Sequence, residues 1–452
     1  MHISWKWFTD KFVGTPPDSD LDNVEENSGR YSLGFGAQNI GDQIVSAKTV
    51  LPWFLTSVGG PAWVISFLVP VRESGSMLPQ AFLRPWLQHF HRRLPFMLIG
   101  AAGQAVACVI MLFTALFAHG TVAGLLILAS LALLATARAL VSLTSKDVAG
   151  RVVPKGYRGH LTGFATTLSG AVTIVVGIVL QALRGNLTTT TFAVLFVIAA
   201  LAWVAAIMFF RGIREQVVED VGNVPSKEDG WLRQVWVDIR DLLSSDPAFR
   251  RFVIVRTLLL TSALSPTFIV AIASHVRADG LAASIFTGLG TFVLASGVAS
   301  LLAGRVSGWL SDVSSRNTMT GAALLASTIL VITVVLTLIS DATSNPQTPD
   351  RTGAEIALIW WLPVAFFVVS LAHAAIRVAR STYIVDMAEG EQRTRYVSVA
   401  NTLMGILLLI VGAFTSVLAI GGPQWALAAL ALFGFTGAAL SHTLPEVSLG
   451  KQ

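Results

Sequence analysis

One cysteine, Cys108, stands in 452 residues. A lone thiol excludes a disulfide framework and a Cys-based metal site. Charge is scarce as well: Asp, Glu, Lys and Arg make up 13% of the chain, about half the usual soluble share. No glycine-rich loop followed by Lys and Ser or Thr occurs, so the phosphate cradle of an ATP-driven pump is missing. Nor do Ser, His and Asp form a hydrolase elbow. His89 and His91 flank Phe90 without a carboxylate or cysteine beside them. No metal and no cofactor are therefore expected. Without a convergent nucleophile or metal set, an enzyme is not the reading.

What the chain has instead is apolar length. Hydrophobic residues make up 54%, and stretches long enough to cross a core of about 30 Å recur along nearly all of it. Twelve are placed, at 32–58, 60–84, 94–117, 121–145, 160–183, 191–210, 252–275, 283–305, 318–340, 355–379, 396–419 and 424–441. Continuous apolar runs of this length predict helices, giving an all-α membrane protein. The net charge of +5 reads as topology, and nucleic acid is not an expected partner. With the N-terminus in the cytoplasm, only Arg184, Arg277 and Arg351 fall in outward loops, a strong positive-inside bias that puts both termini inside, at the cell membrane. Residues 1–30 hold Asp18, Asp20, Asp22, Glu25 and Glu26 and no apolar core, so they read as a disordered cytoplasmic tail and not a signal peptide. Six helices follow over 31–211, a cytoplasmic linker over 212–250, six more over 251–442, and a tail over 443–452. In the linker, Leu232, Val235, Trp236, Ile239 and Leu243 share one face of an amphipathic helix suited to the leaflet surface, tethering the halves.

The two halves resemble each other. Trp86-Leu87 followed by Arg93 has a counterpart in Trp309-Leu310 followed by Arg316. Ser74-Gly75 matches Ser296-Gly297, and Arg138 followed by Asp147 repeats as Arg377 followed by Asp386. With an even number of helices each, the halves run parallel, a repeat design that places a substrate site at midplane between them.

The stretch from Gly304 through Gly308 and Asp312 to Arg316 resembles the cytoplasmic loop motif of the major facilitator superfamily, and Asp147, Arg151, Pro154, Arg158 and Gly163 resemble that family's loop after the fourth helix. The first loop departs from the motif, with Pro85 and His89 where glycine and aspartate belong. The resemblance implies two pseudo-symmetric six-helix bundles, secondary transport, and a gating role for Gly304, Gly308, Asp312, Arg316, Asp147 and Arg158. Physically, glycines four apart admit a close helix, and an acid at a helix end pairs with a base or with helix-terminal amides.

The candidate site is charge at membrane depth. Arg72 and Glu73 stand side by side in the second segment, each costing about 2.5–3.5 kcal/mol in hydrocarbon. Asn39, Asp42, Gln43, Ser46 and Thr49 form a polar stripe within an arc of about 120° on the first. Depth matching across antiparallel helices lets Arg72 reach Asp42 and Glu73 reach Lys48, giving a four-charge cluster of zero net charge that either carries function or pins two helices. Arg138, Arg377 and His373 either border a cavity and bind an anionic group or, for the arginines, snorkel to the interface. Arg256 is expected to snorkel, and Pro52 and Pro266 to mark kinks. The sequence thus points to a monomeric, twelve-helix secondary transporter of a small polar or charged solute, coupled to protons. The rival is a non-transporting solute sensor or assembly factor on the same fold.

Overall fold

In hydrocarbon a backbone amide bonds within its own segment, and every regular element among the described residues is a helix. The structure, a computed structural model, describes residues 5–17, 21–87, 90–154, 157–183, 187–215, 231–276, 285–343, 352–387 and 390–446. Its first half comprises α1 (Trp5–Phe8), α2 (Val24–Ile44), α3 (Val50–Ser57), α4 (Ala62–Leu87), α5 (Leu94–Phe117), α6 (Gly120–Val152), α7 (Arg158–Ala182) and α8 (Thr189–Arg211). After the linker helix α9 (Trp231–Ser245) come α10 (Pro247–Leu258), α11 (Thr261–His275), α12 (Leu289–Val313), α13 (Ser315–Thr343), α14 (Gly353–Asp386), α15 (Gly390–Ala419) and α16 (Pro423–His442). Among the described residues, nine spans are long and apolar enough to cross a membrane by length and composition. The other three predicted segments are helical too. One is broken, α4 carries Arg72 and Glu73, and only Leu289–Leu302 of α12 forms a described apolar run.

The break is the first departure from expectation. Segment 32–58 is not one helix: α2 ends at Ile44 and α3 begins at Val50. Between them Ser46 gathers the chain, its carbonyl accepting from the amides of Thr49 (3.4 Å) and Leu51 (3.0 Å) and its hydroxyl from the amide of Lys48 (3.3 Å). Pro52 has no N–H for the carbonyl of Lys48 four residues back, so the helix cannot run through. Its counterpart in the second half breaks as well, at Leu259–Leu260 between α10 and α11, with Pro266 six residues beyond.

The buried apolar residues form three bodies. On the side of the molecule away from the linker, one continuous core joins both halves, with Val50, Leu51 and Phe54 packed among Leu264, Phe268 and Phe366. On the linker side it divides: Met97, Ala101, Val141 and Phe210 belong to a core of the first half, and Val255, Met319, Ile376 and Val399 to a separate core of the second. Polar residues mark the level of division on helix after helix. Arg138 lies between Leu134 and Val141 on α6, His373 between Val369 and Ile376 on α14, and Asn401 between Ala400 and Met404 on α15.

Two helix pairs hold the halves together, α4 on α15 and α7 on α12. Both approach closely at glycines: a methyl at Gly412 would collide with Pro70, and one at Gly177 would stand 2.7 Å from Leu294. Along α7, Gly170 and Gly177 face α12, whereas Gly163 faces open space. Ser74 donates from α4 to the carbonyl of Gly405 on α15 (2.8 Å).

Two segments read as peripheral are packed. Residues 5–17, expected as an unstructured tail, lie across α2 and α7: Phe8 meets Phe164 edge-on at 5.7 Å, and the Tyr157 hydroxyl donates to the carbonyl of Gly14. Gly14 has φ of +117°, a conformation that favours glycine. Burial pushes the Tyr157 phenol up to about 12. Aromatic side chains, not charge, decide the fate of this segment. On α9, Ile239 and Leu242 are buried in the second half's core while Trp236 stays exposed, so part of the predicted leaflet face is spent on protein.

Candidate functional site

Asp42, near the end of α2, lies at the level where the common core divides. One carboxylate oxygen accepts from Arg72 of α4 at 2.5 Å, and the other forms an ion pair with Arg138 of α6. The first contact is the one depth matching predicts. The second joins Arg138 to the cluster and replaces the expected zero balance by an excess of positive charge. Glu73, in contrast, closes no ion pair among the described residues. Its charge acts through space on Lys48 and Arg72, and Lys48 itself sits in the break between α2 and α3, not on a regular helix. Gln43 faces the other half: its amide nitrogen donates to Ser300 (3.3 Å) and its oxygen accepts from Ser296 (3.5 Å). Asn39 is half-buried one turn toward the linker side.

The second half supplies the opposite wall. His373, Arg377 and Arg380 fall one turn apart on α14, and His373 Nδ1 lies 3.3 Å from the Ser262 hydroxyl at the start of α11. Arg377 is exposed, yet its charge acts on Lys48, Arg138, His373 and Arg380, so it faces the cleft between the halves and not lipid. Arg256, expected to snorkel, is instead buried and donates to Asn401 of α15 (2.9 Å). Arg380 was not singled out by sequence, where it groups with the basic residues of the helix end. Its place one turn beyond Arg377 was the available signal.

The predicted gating residues divide. Asp147 pairs with Arg93 (3.2 Å) inside the first half. Arg316 pairs inside the second half with Glu446 (3.5 Å), a residue sequence reasoning passed over. Glu446 also accepts from Ser314 (2.6 Å). Its counterpart Glu215 accepts from the amides of Arg93 (2.9 Å) and Leu94 (2.9 Å) at the start of α5, and from Arg151 (2.7 Å). Each acid stands four residues past the last helix of its half, α8 or α16, and reaches the arginine that opens the third span, a spacing visible in the sequence. Gly304, Gly308 and Asp312 lie on α12 and Arg158 opens α7, but their side chains are outside the described residues, as is His89.

This architecture has relatives. The chain superposes on a D-xylose–proton symporter with a TM-score of 0.67 at 12% identity, over 94% of this chain and 99% of that one. A nucleoside transporter gives 0.65 at 10%, over 92% and 99%. A peptide transporter gives 0.65 at 11%, over 98% of each. At such identities the likeness concerns fold alone. No curated protein sequence matches. A family model does: that of the Major Facilitator Superfamily, over residues 44–347, from the broken first span into the second half. Two parallel pseudo-symmetric bundles and this match agree, and the chain belongs to the major facilitator superfamily.

Proposed function

We propose that the protein is a secondary active transporter that moves a small polar or charged solute by alternating access, with protons as the coupling ion. The observation that carries this reading is the position of the Asp42, Arg72, Arg138 and Glu73 cluster at the level where one shared core becomes two, beside broken helices in both halves. Irregular backbone and charge at that depth are tolerated where they line a cavity. Solved structures of the same fold include proteins named as a D-xylose–proton symporter, a nucleoside transporter and a peptide transporter. In this reading the halves, 31–211 and 251–442, rock about α4–α15 and α7–α12 as a monomer, with the linker and both termini on the cytoplasmic side of the cell membrane, following the basic bias. The conformation described is then the one open to the cytoplasm. Asp312, as a latch against Arg316 or a neighbouring helix end, would hold the other.

In this reading the coupling role falls to Glu73, which closes no ion pair among the described residues, whereas two guanidiniums hold Asp42. Proteoliposomes containing the internal pH dye pyranine are challenged with a metabolite panel. Wild type acidifies or alkalinises with at least one solute. Glu73→Gln keeps solute exchange and loses the proton signal, and Arg72→Ala loses both while still inserting. A Glu73→Gln protein with an unchanged proton signal would remove Glu73 from coupling.

A further inference from the structure

Charge in the cleft is unevenly distributed. Six basic side chains (Lys48, Arg72, Arg138, Arg256, Arg377 and Arg380) meet two acids, Asp42 and Glu73. Both acids belong to the first half: Asp42 pairs with Arg72 and Arg138 of that half, and Glu73 closes no ion pair among the described residues. The wall from the second half has none among the described residues. There Arg256 and Arg380 are 8% and 9% exposed, and the Nε–H of each is buried without a hydrogen-bond partner. Arg380 takes no ion pair from a described residue; the charges that act on it are Arg377, a like charge, and Glu73 across the cleft, and its own charge acts on Arg256 and His373. Buried guanidiniums with unused donors are expensive unless something else supplies the charge.

We propose that the solute supplies it: the site binds a small anion carrying at least two negative charges, held by Arg256, Arg377 and Arg380 of the second half and bridged to Arg138 of the first. This rests on reading the cleft as the solute site. Two charges are required because one carboxylate leaves most of these donors unmatched, whereas a dicarboxylate, tricarboxylate or phosphate spans several planar forks at once. Such a ligand also draws the halves together, since its partners lie on both. Arg138 keeps one oxygen of Asp42 as it engages.

The test uses the purified full chain in neutral detergent at low ionic strength. Thermal stability is followed with citrate, succinate, inorganic phosphate, acetate, glucose, spermidine and phosphatidylglycerol. Citrate, succinate or phosphate should raise the melting temperature saturably, and the ranking separates carboxylate from phosphate chemistry. Acetate, glucose and spermidine should not. Arg380→Gln should weaken the response roughly tenfold or more, as expected for a charged hydrogen bond, and should also raise the melting temperature of the ligand-free protein. That opposite pair of signs is what a purely structural arginine cannot produce. A lower ligand-free melting temperature, or failure of the variant to fold, would assign Arg380 to structure and end the proposal. So would a flat response to every anion, a response to glucose or spermidine alone, a response to phosphatidylglycerol alone, or an anion response unchanged in Arg380→Gln. Proteoliposome uptake is scored separately. A moving neutral solute with no anion binding sinks the anion site and leaves transport standing, and anion binding without movement of any solute does the reverse.

Discussion

Asp42 holds two arginines that come from different helices, and its replacement is therefore more than the loss of one pair. Asp42→Asn leaves Arg72 and Arg138 facing each other near Lys48. Breaking a buried pair from one side costs about 3–5 kcal/mol, so this variant should melt well below wild type. Glu73→Gln removes no ion pair seen among the described residues and should melt close to it. Differential scanning fluorimetry of the three proteins checks the contrast, and equal losses would mean that Glu73 shares the structural burden. At this scale much was legible. The order of Asp42, Arg72 and Glu73 along antiparallel helices brings Arg72 to Asp42 by simple depth counting. Arg138 was harder, because its distance from the helix end admits snorkelling as well as a place beside a cavity, and its pairing with Asp42 was not foreseen. Only the fork in the core shows that it looks inward.

At the scale of elements, helix ends decide what the eye misses in a hydropathy pattern. The polar stripe from Asn39 to Thr49 has helical spacing, so nothing in its periodicity announces a break at Val45–Thr49. The break follows from a missing donor at Pro52, which acts four residues earlier than its own position. Glu215 and Glu446 escaped notice for the opposite reason, lying past the helices in short polar runs. A further helix end makes a measurable prediction. Asp246 caps α10, accepting from the amides of Ala248 (2.9 Å) and Phe249 (3.0 Å) and from the Tyr396 hydroxyl of α15. Burial pushes its carboxyl up, but the hydrogen bonds from Tyr396 and the two amides outweigh this and hold it below the usual range. A depressed carboxyl stabilises above its unfolded value of about 3.9, and that contribution is lost as the pH falls through the folded value. Asp246→Ala should cost about 1 kcal/mol at neutral pH. Melting curves of wild type and variant should converge as the pH is lowered below about 4, and parallel curves would show that the cap is not felt.

For the whole molecule, accessibility reports which side the cleft faces. Cys108 is buried, so introduced cysteines dominate labelling. Ser142 lies one turn from Arg138 toward the linker side, and Ser274 meets Thr56 across the far seam (3.4 Å). A membrane-impermeant maleimide should label Ser142→Cys from the linker side much faster than it labels Ser274→Cys from the other. A transported solute should slow the first and speed the second. Rates that ignore solute would mean that the halves do not rock. The all-helical membrane fold and the two parallel halves could be read from composition and parity. The facing of the cleft could not, because it depends on which apolar side chains find partners in the opposite half.

That seam, where Val50, Leu51 and Phe54 meet Leu264 and Phe268, also makes the molecule a thermometer. Opening the far side transfers apolar surface from protein to water, and such exposure carries a positive heat capacity of about 0.45 cal/K/mol for each Å². The free-energy difference between the two facings must then curve with temperature. Cooling weakens hydrophobic burial and tilts the balance toward the far-side-open form. Labelling of Ser274→Cys, corrected for the intrinsic rate of the reagent, should accordingly gain relative to Ser142→Cys in the cold, and an Arrhenius plot of solute exchange should bend. The substitution Phe54→Ala, which trims the seam, should straighten it.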